Sequence, residues 1–70
     1  MEQMVQKLNL KKIRGAMAEK GLTQAELSEL TGISQRTMSL KLNGKVKVSV
    51  EDLVKFAKTL GKEISYFFEK

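Results

Sequence analysis

The feature that most limits what this chain can fold into is its punctuation. Glycines stand at positions 21, 32, 44 and 61, each where a run of helical periodicity breaks off, and Thr23, Ser34 and Ser49 follow the first three breaks. Glycine readily ends a helix in left-handed backbone, and a Ser or Thr side chain can accept from the free amides of the next helix's first turn. Thr23 has Glu26 three residues on, the spacing of a capping box, and Ser49 has Asp52 in the same place, a weaker partner than Glu. Short helices are therefore expected at about 8–20, 24–30, 34–43 and 50–60, with a short fifth around Ile64, Phe67 and Phe68.

Apolar spacing assigns the inner faces. Ile13, Ala16 and Met17 form the stripe of the first helix, Leu27 and Leu30 that of the second, and Met38 and Leu42 that of the third. Val50, Leu53, Phe56, Ala57 and Leu60 do the same for the fourth, and Phe67 and Phe68 close the core. KVKVSV, residues 45–50, alternates as a strand would, but it is short and has no hairpin partner, so it reads as loop. The absence of proline, the few aromatics and the supply of Leu, Lys, Glu, Met and Ala agree with an all-α fold. At 70 residues the expectation is one domain, 1–70, with residues 1–7 an arm outside the helices.

Composition excludes several classes. With no cysteine there is neither a disulfide nor a cysteine zinc site, and a reducing compartment such as the bacterial cytoplasm is compatible. Histidine, the commonest metal ligand and general base, is also absent. No metal, cofactor or enzymatic activity is expected, because Glu26 with Glu29 and Glu51 with Asp52 read as helix-start charges and no nucleophile has an activating base. Apolar runs of two or three residues are far short of the roughly 20 that span a bilayer, and the N-terminus lacks a signal-peptide core, so a soluble, unprocessed chain without a membrane partner is expected.

Charge is the positive clue. Thirteen basic against eight acidic residues give +5 and a pI near 9.7. Arg36, Lys41, Lys45 and Lys47 fall within residues 32–47, where no acid occurs, while Glu26, Glu29, Glu51 and Asp52 lie just outside. A solvated surface usually mixes the signs; this pattern fits a polyanionic partner.

Residues 23–43 have what a helix-turn-helix needs: small Ser28 where the helices cross, Gly32 to turn, and Leu27, Ile33 and Met38 for apolar contact. At about 100° per residue, Arg36, Ser39 and Leu40 project within about 100° of one another, away from Met38 and Leu42, with Gln35 at the boundary near the helix start. One face packs and the other is free to read a groove.

The stretches GLTQAELSELTGISQRTMSLKLNGK and VEDLVKFAKTLGKEISYFF carry a resemblance. Thr23-Gln24, Leu27, Gly32-Ile33, Ser34-Gln35, Asn43-Gly44-Lys45 and Leu60-Gly61 together make the chain similar, over residues 13–68, to the phage Cro and lambda-repressor-like helix-turn-helix family. The resemblance implies a compact five-helix DNA-binding domain that binds double-stranded operator DNA, commonly as a homodimer on a pseudo-palindrome. It implies base reading by Gln35, Arg36, Ser39 and Leu40, residue types suited to adenine, guanine, several base edges and the thymine methyl respectively. Gln24, Lys41, Asn43, Lys45 and Lys47 are implied at the DNA backbone, Gln24 beside a helix N-terminus that also favours an anion. Lys41 and Lys62 stand where the family usually has apolar residues; Lys41 is expected to snorkel to a phosphate while Leu42 packs.

Each feature has a plainer reading. Gln24 can be an exposed first-turn residue, Ser39 a small residue permitting close approach, Leu40 an ordinary exposed leucine, and Lys45 and Lys47 solvated loop charges. Lys7, Lys11, Lys12 and Arg14 read as a solvated helix face, and Phe67-Phe68 as core closure before dimer contact. The functional expectation is a sequence-specific transcriptional regulator, a Cro-like repressor of phage or prophage type that occludes a promoter. The alternative is an antirepressor or modulator that uses the same fold to bind another repressor protein, with Leu40 and Lys41 as its supporting features.

Overall fold

The computed structural model describes residues 7–68; the expected arm at 1–7 lies, except for Lys7, outside the described residues. Four α-helices follow one another, α1 Leu10–Lys20, α2 Gln24–Thr31, α3 Gln35–Leu42 and α4 Val50–Leu60, and a 3-10 turn, Ile64–Phe67, ends the series. Local chemistry sets most boundaries. The Thr23 and Glu26 side chains each bond the other's backbone amide, Ser34 accepts from the Thr37 amide, and Ser49 and Asp52 repeat the reciprocal arrangement at the start of α4. Gly32 ends α2 at φ 79°, a conformation that side chains with a Cβ rarely adopt.

Two boundaries differ from expectation. α1 starts at Leu10 because Asn9 caps it, its side-chain oxygen accepting from the Lys11 amide at 3.0 Å. Leu8 is instead extended and pairs antiparallel with Phe68, next to a 2.7 Å bond from the Asn9 amide to the Phe67 carbonyl. That pairing also explains why the fifth helix is only a 3-10 turn. Four residues without a side-chain cap are too few to nucleate an α-helix, and Phe68 leaves helical geometry to meet Leu8.

The core gathers Ile13, Ala16, Met17, Leu27, Met38, Leu42, Leu53, Phe56, Ala57, Leu60 and Phe67. Two expected core residues are outside it: Leu30 is 62% exposed and Val50 is 75% exposed. On α2 the buried residues are Leu27, Ser28 and Thr31, and Leu30 lies about 110° from the centre of that face. Thr31 is tolerated inside because its hydroxyl donates to the Leu27 carbonyl at 2.8 Å. In the first turn of α4 it is Asp52, not Val50, that turns inward. Ile64 likewise remains on the surface while Phe67 is buried and Phe68 half-buried.

Residues 46–49 form loop, as expected from the unpaired alternation. The chain doubles back there, with the Lys45 and Val46 amides donating to the Leu40 carbonyl at 2.8 and 3.3 Å. Lys62, at a position the family usually fills with an apolar residue, rests its ammonium 4.6 Å from the centre of the Tyr66 ring and pairs with Glu19 at 3.1 Å. Lys12 approaches the same ring at 5.2 Å, so two ammonium groups flank a tyrosine that stays 38% exposed.

Candidate nucleic-acid interface

α3 presents two unlike faces. Met38 and Leu42 are buried against the other helices, whereas Gln35 and Arg36 are exposed at its N-terminal end, Ser39 is half-buried and Leu40 is 37% exposed. A shallow open groove runs where α2 meets the start of α3, lined by Ala25, Ser28, Glu29, Gly32, Ile33, Ser34 and Gln35. Ser28, the small residue expected at the crossing, is buried beside this groove, its hydroxyl without a partner among the described residues. Gln24 is half-buried at the first position of α2. Gln24 and Gln35 therefore open the two helices on either side of the Gly32 turn.

Of the cations in the acid-free stretch, Lys41 is differently placed from the other three. Its ammonium pairs with the Asp52 carboxylate, and the two side chains are only 13% and 11% exposed. The expected reach of Lys41 to a phosphate meets a nearer competitor inside the fold, an acid that also caps α4 by accepting from the Ser49 amide at 3.0 Å. Burial pushes the Asp52 carboxyl up, but the Lys41 hydrogen bond, the Ser49 amide and hydroxyl, and the charge of Lys41 outweigh it, so the carboxyl titrates below its ordinary 3.8. Arg36, Lys45 and Lys47 are exposed and form no ion pair among the described residues.

Asn43 ends α3, its amide donating to the Ser39 carbonyl at 3.0 Å while the Gly44 amide donates to the Lys41 carbonyl at 3.1 Å. Its side chain is engaged from a direction the sequence reading missed. Arg14 of α1 donates from Nη2 to Asn43 Oδ1 at 2.9 Å and to the Leu42 carbonyl at 3.2 Å. In the sequence Arg14 is one member of a basic cluster, and nothing local distinguishes it. The only available signal is that an arginine favours the carbonyl end of some neighbouring helix.

The surface thus combines an exposed polar helix start, a neighbouring helix start and a basic loop, without opposing carboxylates from 32 to 47. It can donate to and attract a polyanion and offer side chains to groove edges. Among the described residues no group of His, Cys, Asp and Glu is arranged to hold a metal, and no helix is long and apolar enough to cross a membrane.

Comparisons with known proteins agree with this geometry. A family profile described as helix-turn-helix matches residues 10–67. The restriction-modification controller protein C.AhdI from Aeromonas hydrophila is 27% identical and superposes with a TM-score of 0.78, covering 84% of this chain and 89% of its own. The DNA-binding domain of the P22 C2 repressor, 23% identical, shares the fold with a TM-score of 0.78 over 91% of this chain and 84% of that one. A helix-turn-helix transcriptional regulator from Vibrio cholerae, 22% identical, shows the same fold with a TM-score of 0.73 over 83% of this chain, which spans only 33% of that protein. No curated protein sequence matches.

Proposed function

The chain belongs to the helix-turn-helix family, and from that premise we propose that it is a DNA-binding transcriptional regulator, a Cro-like repressor of phage or prophage type. In this reading α3 enters the major groove of an operator, a homodimer places two such helices in successive grooves, and promoter access is blocked in the cytoplasm of a bacterial host. The observation that carries it is the two-faced α3: Met38 and Leu42 held in the core, Gln35 and Arg36 free at the helix start, and no acid in the surrounding stretch.

Gln35 and Arg36 read adenine and guanine edges, with Ser39 and Leu40 contributing a hydroxyl and an apolar contact further along the helix. Gln24, Asn43, Lys45 and Lys47 hold the DNA backbone and set position more than sequence. Lys41 leaves that set, because Asp52 already neutralises it. The same pair weakens the alternative, capture of another repressor protein, which drew on Leu40 and Lys41 and now rests on Leu40.

Selection of bound sites from a random duplex library, followed by salt titration of the winner, tests the proposal. It expects an enriched, two-fold related sequence and an affinity that falls linearly on a log–log plot against salt. No enrichment and a flat salt response, together with capture of a cognate repressor in the same assay, would transfer the assignment to the protein-binding alternative.

A further inference from the structure

We propose that Arg14, on α1 and outside the expected DNA-contacting residues, is a positioning residue for the interface: it fixes the C-terminal end of α3 and decides which end of the Asn43 amide faces outward. The inference rests on the DNA-binding reading above.

Donors and acceptors set the orientation. A guanidinium can only donate, so the Asn43 side chain must turn its oxygen toward Arg14, as the 2.9 Å contact shows. The amide nitrogen is then directed away from Arg14, toward Ser39 Oγ at 3.5 Å, and Asn43 itself is exposed. A nitrogen donor is what a phosphate oxygen requires, while an outward amide oxygen would repel it. The same Nη2 also satisfies the Leu42 carbonyl, one of the last carbonyls of α3 that the helix itself leaves unpaired, and it places positive charge at the negative end of the helix. Residues 28 and 29 positions apart are thereby coupled, and α1 sets the angle at which α3 and the following Gly44–Lys45 turn are presented.

Arg14→Met removes the donors, and Arg14→Gln restores a hydrogen-bonding group that can also accept and so lets the Asn43 amide turn round. Measured on the selected duplex at a temperature where circular dichroism shows each variant fully folded, both should lose roughly tenfold in affinity. Asn43→Ala should lose a similar amount, and the double variant Arg14→Met/Asn43→Ala should be no weaker than about twofold below either single one, since both remove the same contact. The salt slope of Arg14→Met should match the parent, because a positioning residue releases no counterion, whereas a direct phosphate contact would lower the slope by about one. In the free protein, amide exchange at Asn43, Gly44 and Lys45 should quicken in Arg14→Met while α4 is unaffected.

Parental affinity in the folded variants, multiplicative losses in the double variant, a slope lower by one, or unchanged exchange at 43–45 would each overturn the positioning role while leaving the DNA-binding reading in place. A parent that binds no duplex overturns that reading, and this inference with it.

Discussion

Replacing Asp52 by Asn probes the junction between α3 and α4. The carboxylate has two duties, pairing with Lys41 and closing the Ser49 capping box. Asn can still accept from the Ser49 amide, so the loss isolates the ion pair and leaves the Lys41 ammonium, with a side chain only 13% exposed, without its countercharge. A fully buried pair broken on one side costs about 3–5 kcal/mol, and a fully exposed one about 0–1. This pair is nearly buried but lies close enough to the surface for the lysine to swing into water, so the expected cost is about 1–2 kcal/mol. For a domain of this size that lowers the melting temperature by roughly 5–15 °C.

Lys41→Met should cost less than Asp52→Asn, under about 1 kcal/mol, because Asp52 keeps its Ser49 bonds and an apolar side chain suits the packed flank of α3. The pH dependence follows from the direction of the Asp52 shift. A carboxyl depressed in the folded state stabilises the protein fully above its unfolded value, 3.8, and the contribution disappears as the pH falls through the lower folded value. Thermal melts of the parent, both single variants and the double variant between neutral pH and pH 3 give both quantities. A melting temperature of Asp52→Asn within 2 °C of the parent at neutral pH, or an equal acid-induced loss in parent and variant, would refute the assignment of this pair as a clamp.

Further outcomes are equally direct. Leu27→Ala should cost roughly 2–5 kcal/mol in urea or thermal melts, whereas Leu30→Ala should stay within about 0.5, which separates the observed inner face of α2 from the one its spacing suggests. Gly32→Val should destabilise by about 1–2 kcal/mol or more from backbone strain alone, since nothing lies within 4 Å of the added Cβ; an unaltered melt would refute the need for positive φ there. Gln35→Ala and Arg36→Ala should each lose about 1–3 kcal/mol on the selected site and relax one or two base preferences without changing the melt; unaltered site selection in both would remove these residues from base reading. Lys45→Ala and Lys47→Ala should each lower the salt slope by about one if they lie on phosphates, as read by fluorescence anisotropy across a salt series.

The sequence spoke clearly wherever the governing interaction was local. Thr23 with Glu26, Ser34 with Thr37, and Ser49 with Asp52 are three residues apart, so caps and helix starts were legible before any packing was known. Periodicity fixes a face but not its width, and that is why Leu30 and Val50 were expected inside while Thr31 and Asp52 took the space. The Lys41–Asp52 and Arg14–Asn43 contacts join elements that only the tertiary fold brings together, so the unusual lysine at 41 could be noticed in the sequence but not explained. The exposed positions at the start of α3, Gln35 and Arg36, were readable because they are what remains after Met38 and Leu42 are buried.

The lysine-flanked ring at the end of the fold has a practical consequence. Tyr66 is the only tyrosine and there is no tryptophan, so all ultraviolet fluorescence of the chain beyond phenylalanine originates at one spot. That spot is where α1, through Lys12, and the segment after α4, through Lys62, meet on the 3-10 turn. Circular dichroism sums over all four helices, but the phenol reports only whether this closing contact is made. A denaturant titration followed by both signals therefore distinguishes detachment of the C-terminal turn, which would change emission ahead of ellipticity, from a single cooperative transition in which the two curves superimpose.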